Sequence, residues 1–528
     1  MRPGTLTFPG HSRRSPLFAF ALLLFALLTA WKVSDYIIAG QTENLFFVGL
    51  GFAALVLVVV ILNDWRKGLY FFLIWLLFED LARKYLGNNM AIYFGKDFLV
   101  TAAYISFFAA SRRKEFQVFR PPFLIPLLLF VWFGVIQVFN PASSSLLYGV
   151  LGLKLYFYYV PLVFVGYALL ETESDLRRFF SINLFLAVVI AGLGSAQAIL
   201  GHTFLNPEHP AEDIRELSQL YREAPISGVI LYRPTSVFVS DGRFATYMIL
   251  AWLIAFGTGG YLLLRSRRGR LFASLTLAVI SAAVALSGSR GTLLWTVGSA
   301  LVCAAAFLWG APWRQAQALR VMRTIQRALL VSGLAIIILF FAYPEALLSR
   351  VAFYSETLSL DSPSSELAYR VRDYPMRNFL LAFTYDRWPY GFGIGTASLG
   401  VQYVSRIMHV PPMNIGVENG YGSIVIEMGI VGLALWLSMS FAVVFACWRI
   451  VRRLKGSPWF PIGFVIFWFA FLLLFPLTFN GLQPYQNFVL NAYLWLLIGI
   501  LFRLPSLEFS PQNTTAGGAT MPQRRWIR

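Results

Sequence analysis

Ionisable side chains inside or at the ends of long apolar runs are the residues of this chain with chemistry to offer. Each is costly in lipid unless it meets a partner or a wet cavity. Arg290 ends one such run in LSGSRGTLL (Leu286 to Leu294), where Ser287, Gly288, Ser289 and Gly291 leave the backbone bare enough for a large anion to approach. A guanidinium stays charged, and its planar fork matches phosphate oxygens. Arg233, in LYRPTSVFVSDGRFATY, invites the same role, with Arg243 as the alternative. Lys154, in GLKLYFYYVP, has no acidic neighbour in sequence and reads as a further anion-facing cation. The strongest pattern is VENGYGSIVIEMGIVGLALWL, Val417 to Leu437. Glu418 and Asn419 stand at its outer mouth, where the carboxylate would be held at a wet interface facing the same side as Arg233 and Arg290. Gly429 and Gly432 fall on one helical face, a spacing that permits close helix packing. Glu427 is a second carboxylate, deeper in the run.

Plainer readings stand beside these. Arg290 as a snorkelling interface residue, Arg233 as an ordinary loop arginine, and Glu418 as a helix cap or an ion-pair partner are the alternatives. Lys96 and Asp97, in IYFGKDFLV, read as structural charges that neutralise each other or partner Asp80 and Arg83 in EDLARKYLGNN. The string GFGIG, Gly391 to Gly395, follows no buried strand and opens no βαβ unit, so it predicts a tightly turning loop outside the membrane rather than a dinucleotide site. His202, His209 and His409 share no element at metal-ligand spacing, and Cys303 and Cys447 lie in different spans. The expectation is therefore no metal and no cofactor.

The elements that must position these groups follow from composition. Of 528 residues, 58% are hydrophobic and 13% charged, against roughly 25% charged in soluble domains, which excludes a soluble chain. A bilayer core takes about 20 helical residues to cross, and 14 stretches qualify: near 16–31, 45–62, 68–78, 92–110, 122–139, 145–170, 179–200, 244–264, 271–286, 292–310, 328–343, 421–447, 459–479 and 488–502. The sixth holds Gly149, Gly152 and Lys154 and is expected to be tilted, broken or partly re-entrant; the third runs into Glu79 and Asp80, so 12 or 13 spans are alternatives to 14. The prediction is an all-α polytopic membrane protein, a single multi-span domain over 1–503 with a disordered cytoplasmic tail over 504–528.

Basic residues set the orientation. Arg2, Arg13 and Arg14 at the N-terminus, and clusters such as Arg265 to Arg270 and Arg449 to Lys455, alternate with short loops that carry only Lys32, Arg83, Lys84 and Arg290. Both termini are thus expected in the cytoplasm, with the first run a retained helix. The net charge of +18 reads as orientation signal, without the interleaved aromatics of a nucleic-acid surface. Two long segments, 201–243 and 344–420, break the rhythm on the outer side. Loops of that length bind or catalyse, and outside the cell a substrate has to carry its own activation energy.

Three strings, RPTSVF with DGRFATY, SGSRGTL, and ENGYGSIVIEMGIVG preceded by YGFGIG, together resemble the O-antigen ligase and O-antigen polymerase superfamily, including exopolysaccharide polymerases. The resemblance covers most of the chain in hydropathy. It implies a GT-C-type, metal-independent, inverting glycosyltransferase in the bacterial inner membrane, active on the periplasmic face. The implied donor is a polyprenyl diphosphate-linked oligosaccharide, its diphosphate held by arginines, and the acceptor a polysaccharide hydroxyl, with other envelope-assembly proteins as possible partners. Where the ligases carry a His before Asn, this chain has Glu418 before Asn419, so the resemblance implies Glu418 as the base that takes a proton from the acceptor hydroxyl, His409 as the rival base, and Asn419 and Tyr421 as groups that orient the acceptor. A lipid-linked oligosaccharide flippase is the alternative.

Overall fold

The long apolar runs form helices because lipid supplies no partner for backbone polar groups, and a helix satisfies them internally. The computed structural model describes residues 55–87, 90–113, 119–207, 212–263, 267–312, 340–358, 369–398, 415–481 and 485–507, with single positions between them. The expected spans 16–31, most of 45–62 and most of 328–343, together with His209 and the tail beyond 507, lie outside the described residues.

The elements are α1 (Trp65–Leu86), α2 (Met90–Arg112), α3 (Leu124–Val138), α4 (Leu146–Phe157), α5 (Leu162–Leu169) and α6 (Glu173–Leu200). A short helix α7 (Glu212–Ser218) and an antiparallel hairpin, β1 (Tyr221–Glu223) with β2 (Ile230–Tyr232), follow. Then come α8 (Asp241–Leu263), α9 (Arg267–Leu286), α10 (Arg290–Gly310), α11 (Pro344–Leu358), α12 (Tyr374–Leu381), α13 (Gly420–Arg453), α14 (Phe460–Leu474), α15 (Pro476–Phe479) and α16 (Phe488–Arg503). Among the described residues, nine helical segments are long and apolar enough to cross a membrane, with α3 a shorter apolar helix.

Side-chain caps fix where many helices begin. Asp64, Ser145, Ser289, Asn419 and Asn487 each accept a backbone N–H of the first turn, and Thr172 with Asp175 closes a capping box on α6. The interior is centred on α16, 83% buried, while α10 is only 28% buried and shows Val297, Leu301 and Leu308 on its outer face. Glycines let α5 and α16 touch: a Cβ at Gly166 would lie 2.1 Å from the Leu496 carbonyl oxygen, and one at Gly499 the same distance from that of Val163.

The expected sixth span is indeed broken, α4 and α5 being separated by a turn over 158–161. The two long segments, expected as loops, carry structure of their own and pack on each other. Glu356 on α11 accepts the backbone N–H groups of Ile226 (2.8 Å) and Ser227 (3.1 Å) at the hairpin tip. Phe353 joins Leu231 and Ala224 in a small apolar cluster.

Candidate functional site

The N-termini of α8, α10 and α16 and the segment after α15 surround a cavity of about 420 Å³. Arg233, Arg243, Ser289, Gly291 and Thr292 line one wall; Asn480, Gly481, Gln486 and Asn487 line the other. Trp295 and Thr246 contribute to the lining as well. Cavities of this size, with a few convergent polar groups, are the ordinary form of a small-ligand site. The N-terminus of α10 adds the positive end of a helix dipole, which favours an anion.

Each arginine is held by a carboxylate. Arg233 NH1 lies 2.7 Å from Asp241 Oδ2, and Arg243 NH1 lies 2.7 Å from Asp80 Oδ2. Asp80 also takes Arg83 NH1 at 3.0 Å and the Val239 amide at 3.3 Å, so one buried carboxylate fixes two guanidinium groups and the turn that follows RPTSVF. Lys84, buried on α1, donates to Thr235 Oγ1 and the Ser236 carbonyl, both at 2.8 Å. Gln197 Oε1 accepts the Thr235 and Ser236 amides from the other side. The segment carrying Arg233 is therefore pinned by groups from α1 and α6. Burial above all, with the positive charges of Arg222 and Arg290 nearby, lowers the proton affinity of Arg233, while Asp241 opposes them.

Arg290 starts α10 with its guanidinium 5.5 Å from the ring of Phe353. Its neighbours Ser289 and Gly291 line the cavity, and its own charge is felt by Arg233. Gly288 adopts φ +66°, and a Cβ there would meet Leu231 at 2.8 Å, so glycine is what brings this turn against the hairpin. Arg350, which sequence reasoning passed over, is 4% exposed and donates to the carbonyls of Leu286 and Ala198, each at 3.0 Å. Burial pulls its pKa down to about 10, which leaves it charged at neutral pH. It ties α11 to the C-terminal ends of α6 and α9, and no hydropathy signal marks it.

Glu418 and Asn419 are not among the described residues that line this cavity, but their backbone lies next to it. Asn419 caps α13 through Gly422 N and donates to the carbonyls of Pro375 and Phe479. A Cβ on the cavity residue Gly481 would lie 3.2 Å from the Glu418 carbonyl oxygen, which places the start of α13 directly behind the cavity wall. The Glu418 carboxylate is exposed and accepts the hydroxyl of Tyr374 on α12. Burial, then this hydrogen bond, raises the Tyr374 pKa. Tyr421 donates to the Leu474 carbonyl at 2.9 Å and holds the end of α14, so its hydroxyl is committed to structure rather than to orienting an acceptor. His409, the rival base, is exposed in a left-handed backbone conformation and is not among the described residues lining the cavity.

Three expectations are corrected. Lys154 is not an unpaired anion-facing cation: its Nζ lies 2.5 Å from Asp97 Oδ2, a partner invisible to local sequence. Lys96 and Asp97 do not neutralise each other, because Lys96 pairs with Glu79 at 2.9 Å. Gly429 and Gly432 do not share a continuous helical face. Gly429 breaks α13 with φ +70°, and a Cβ there would meet the Pro389 carbonyl oxygen at 2.3 Å. The GFGIG loop turns tightly, as expected, with positive φ at all three glycines, yet it is wedged among helices. Phe392 N donates to Ile426 O, Gly393 N to Glu427 O, and a Cβ at Gly152 would lie 2.6 Å from Gly395 N. Glu427, fully buried, accepts Tyr156 Oη at 2.7 Å and Ala397 N at 3.1 Å, which makes it the clamp of this break. Among the described residues no cluster of His, Cys, Asp and Glu suits a metal ion.

No protein-family model matches the chain, and no curated protein matches it in sequence.

Proposed function

We propose that the protein is a membrane glycosyltransferase, a polymerase or ligase of surface polysaccharide. It moves a glycan from a polyprenyl diphosphate-linked donor to a sugar hydroxyl at the periplasmic face of the bacterial inner membrane. The observation that carries this reading is the cavity itself, in which Arg233, Arg243 and the Ser-Gly start of α10 meet, backed by the Glu418–Asn419 turn at the head of α13. A diphosphate suits that wall: guanidinium forks and helix N–H groups stabilise negative charge as it develops on a leaving phosphate. The donor carries its own activation energy, so no nucleotide is consumed.

The residues divide the work by their chemistry. Glu418 accepts the proton of the acceptor hydroxyl as that oxygen attacks the anomeric carbon from the side opposite the diphosphate. The bond to the diphosphate oxygen breaks, and polyprenyl diphosphate leaves against the arginines. Asn419 positions Glu418 through the backbone rather than by touching substrate. The test is release of polyprenyl diphosphate by purified protein supplied with lipid-linked oligosaccharide and acceptor glycan. Wild type is expected to lengthen the acceptor, and Arg290→Ala to insert normally but stop extension. Movement of the lipid-linked sugar across liposomes without transfer would replace this reading with a flippase.

A further inference from the structure

At the opposite end of α8 from the arginine cavity, a second cavity of about 280 Å³ opens between the starts of α6, α9 and α14 and the end of α8. Its walls are mostly apolar, from Phe180, Leu184, Leu262 and Phe272 among others, and Phe272 is 44% exposed, so an apolar side chain stands at an open rim. Two polar groups break the apolar lining. Thr258 is 5% exposed, and its Oγ1 has no hydrogen-bond partner among the described residues. Arg177 stands at the rim, its side chain 35% exposed and its Nε 3.6 Å from Glu173 Oε1, too long for a hydrogen bond. Glu173 is meanwhile engaged by the hydroxyl of Tyr261. The guanidinium therefore keeps donors to offer.

We infer that this cavity holds one acyl chain of an anionic phospholipid of the inner leaflet, its headgroup phosphate on Arg177 and a polar ester oxygen on Thr258. The basic segment around Arg177 and Arg178 is on the side that charge asymmetry assigns to the cytoplasm. Basic pockets between spans on that side are the usual seats of acidic lipid headgroups. A zwitterionic lipid would bring its own cation to Arg177 and gain less. The inference is independent of the glycosyltransferase reading, because the cavity lies at the far end of α8 from the proposed reaction.

The full chain in liposomes, labelled with phosphatidylglycerol carrying a photoactivatable acyl chain and mapped by mass spectrometry, tests it. Cross-links are expected within 176–184 and 269–272, displaced by excess phosphatidylglycerol but not by phosphatidylcholine or inorganic phosphate. Arg177→Gln is expected to lower the yield about fivefold. Ser181→Phe, which fills the cavity without touching the ion pair, is expected to abolish the label while the thermal midpoint is kept. Uniform labelling of all lipid-facing helices, equal displacement by phosphatidylcholine or by inorganic phosphate, or an unchanged label in Ser181→Phe would overturn the site.

Discussion

Two carboxylates, one just before α13 and one within it, sit in opposite surroundings. Glu418, at the mouth of the helix, is exposed and takes one side-chain hydrogen bond, from Tyr374. Glu427 is fully enclosed, and both its oxygens are occupied, by Tyr156 and by the Ala397 amide. A group that must exchange a proton with an incoming hydroxyl needs access and spare hydrogen-bonding capacity. A group that holds a broken helix against a loop needs neither. Position, rather than residue type, sets these surroundings, and position also separates the cations. All four are ion-paired, Arg233 and Arg243 with Asp241 and Asp80, Lys96 and Lys154 with Glu79 and Asp97, but only the two arginines are among the described residues lining the cavity.

The largest expected effect sharpens this contrast. Glu418→Gln, which keeps size and loses basicity, is expected to cut glycan transfer by about 10²–10⁴-fold with no change in thermal midpoint; a stability loss with preserved activity would reverse the assignment. Next, Glu427→Ala strands the Tyr156 hydroxyl and the Ala397 amide, and about 3 kcal/mol of stability is expected to disappear in detergent unfolding. Glu427→Gln, which can still accept from Tyr156, is expected to retain most of it. Arg243→Ala is expected to lower kcat/KM by about tenfold to hundredfold through lost diphosphate contacts, while Lys154→Gln leaves kcat/KM near wild type, since Lys154 faces Asp97 rather than the cavity.

The smallest effect concerns pH. Hydrogen bonds from Ser227 and the Ile226 amide hold the Glu356 carboxyl below its ordinary value of 4.5. A carboxyl depressed in the folded state stabilises above its unfolded pKa, and that contribution is lost as pH falls through the lower, folded value. Limited proteolysis of the 221–232 hairpin is therefore expected to accelerate only below pH about 4.5, and to be pH-independent in Glu356→Gln.

Helix positions were legible because hydropathy reports the bilayer directly. The run expected at 488–502 is Phe488–Arg503, and that at 292–310 is Arg290–Gly310. The run at 68–78 extends to Trp65–Leu86, because Glu79, Asp80, Arg83 and Lys84 find buried partners on other elements, and hydropathy counts charges without knowing what they meet. Orienting the cavity wall took Arg233, Arg243 and the Ser-Gly turn, all readable as local strings. What holds them was not readable. Asp80 to Arg243 and Gln197 to Thr235 are contacts between distant elements, and Arg350 carries no motif. The glycine at 429 looked like helix packing because spacing alone cannot show a positive φ.

The central claim is tested most directly by one assay run on three proteins. Wild type, Glu418→Gln and Glu427→Gln are reconstituted in liposomes and given polyprenyl diphosphate-linked oligosaccharide with acceptor glycan, without nucleotide or metal. Wild type and Glu427→Gln are expected to lengthen the glycan and release polyprenyl diphosphate, and Glu418→Gln to do neither. Transfer by Glu418→Gln at the wild-type rate would contradict the account.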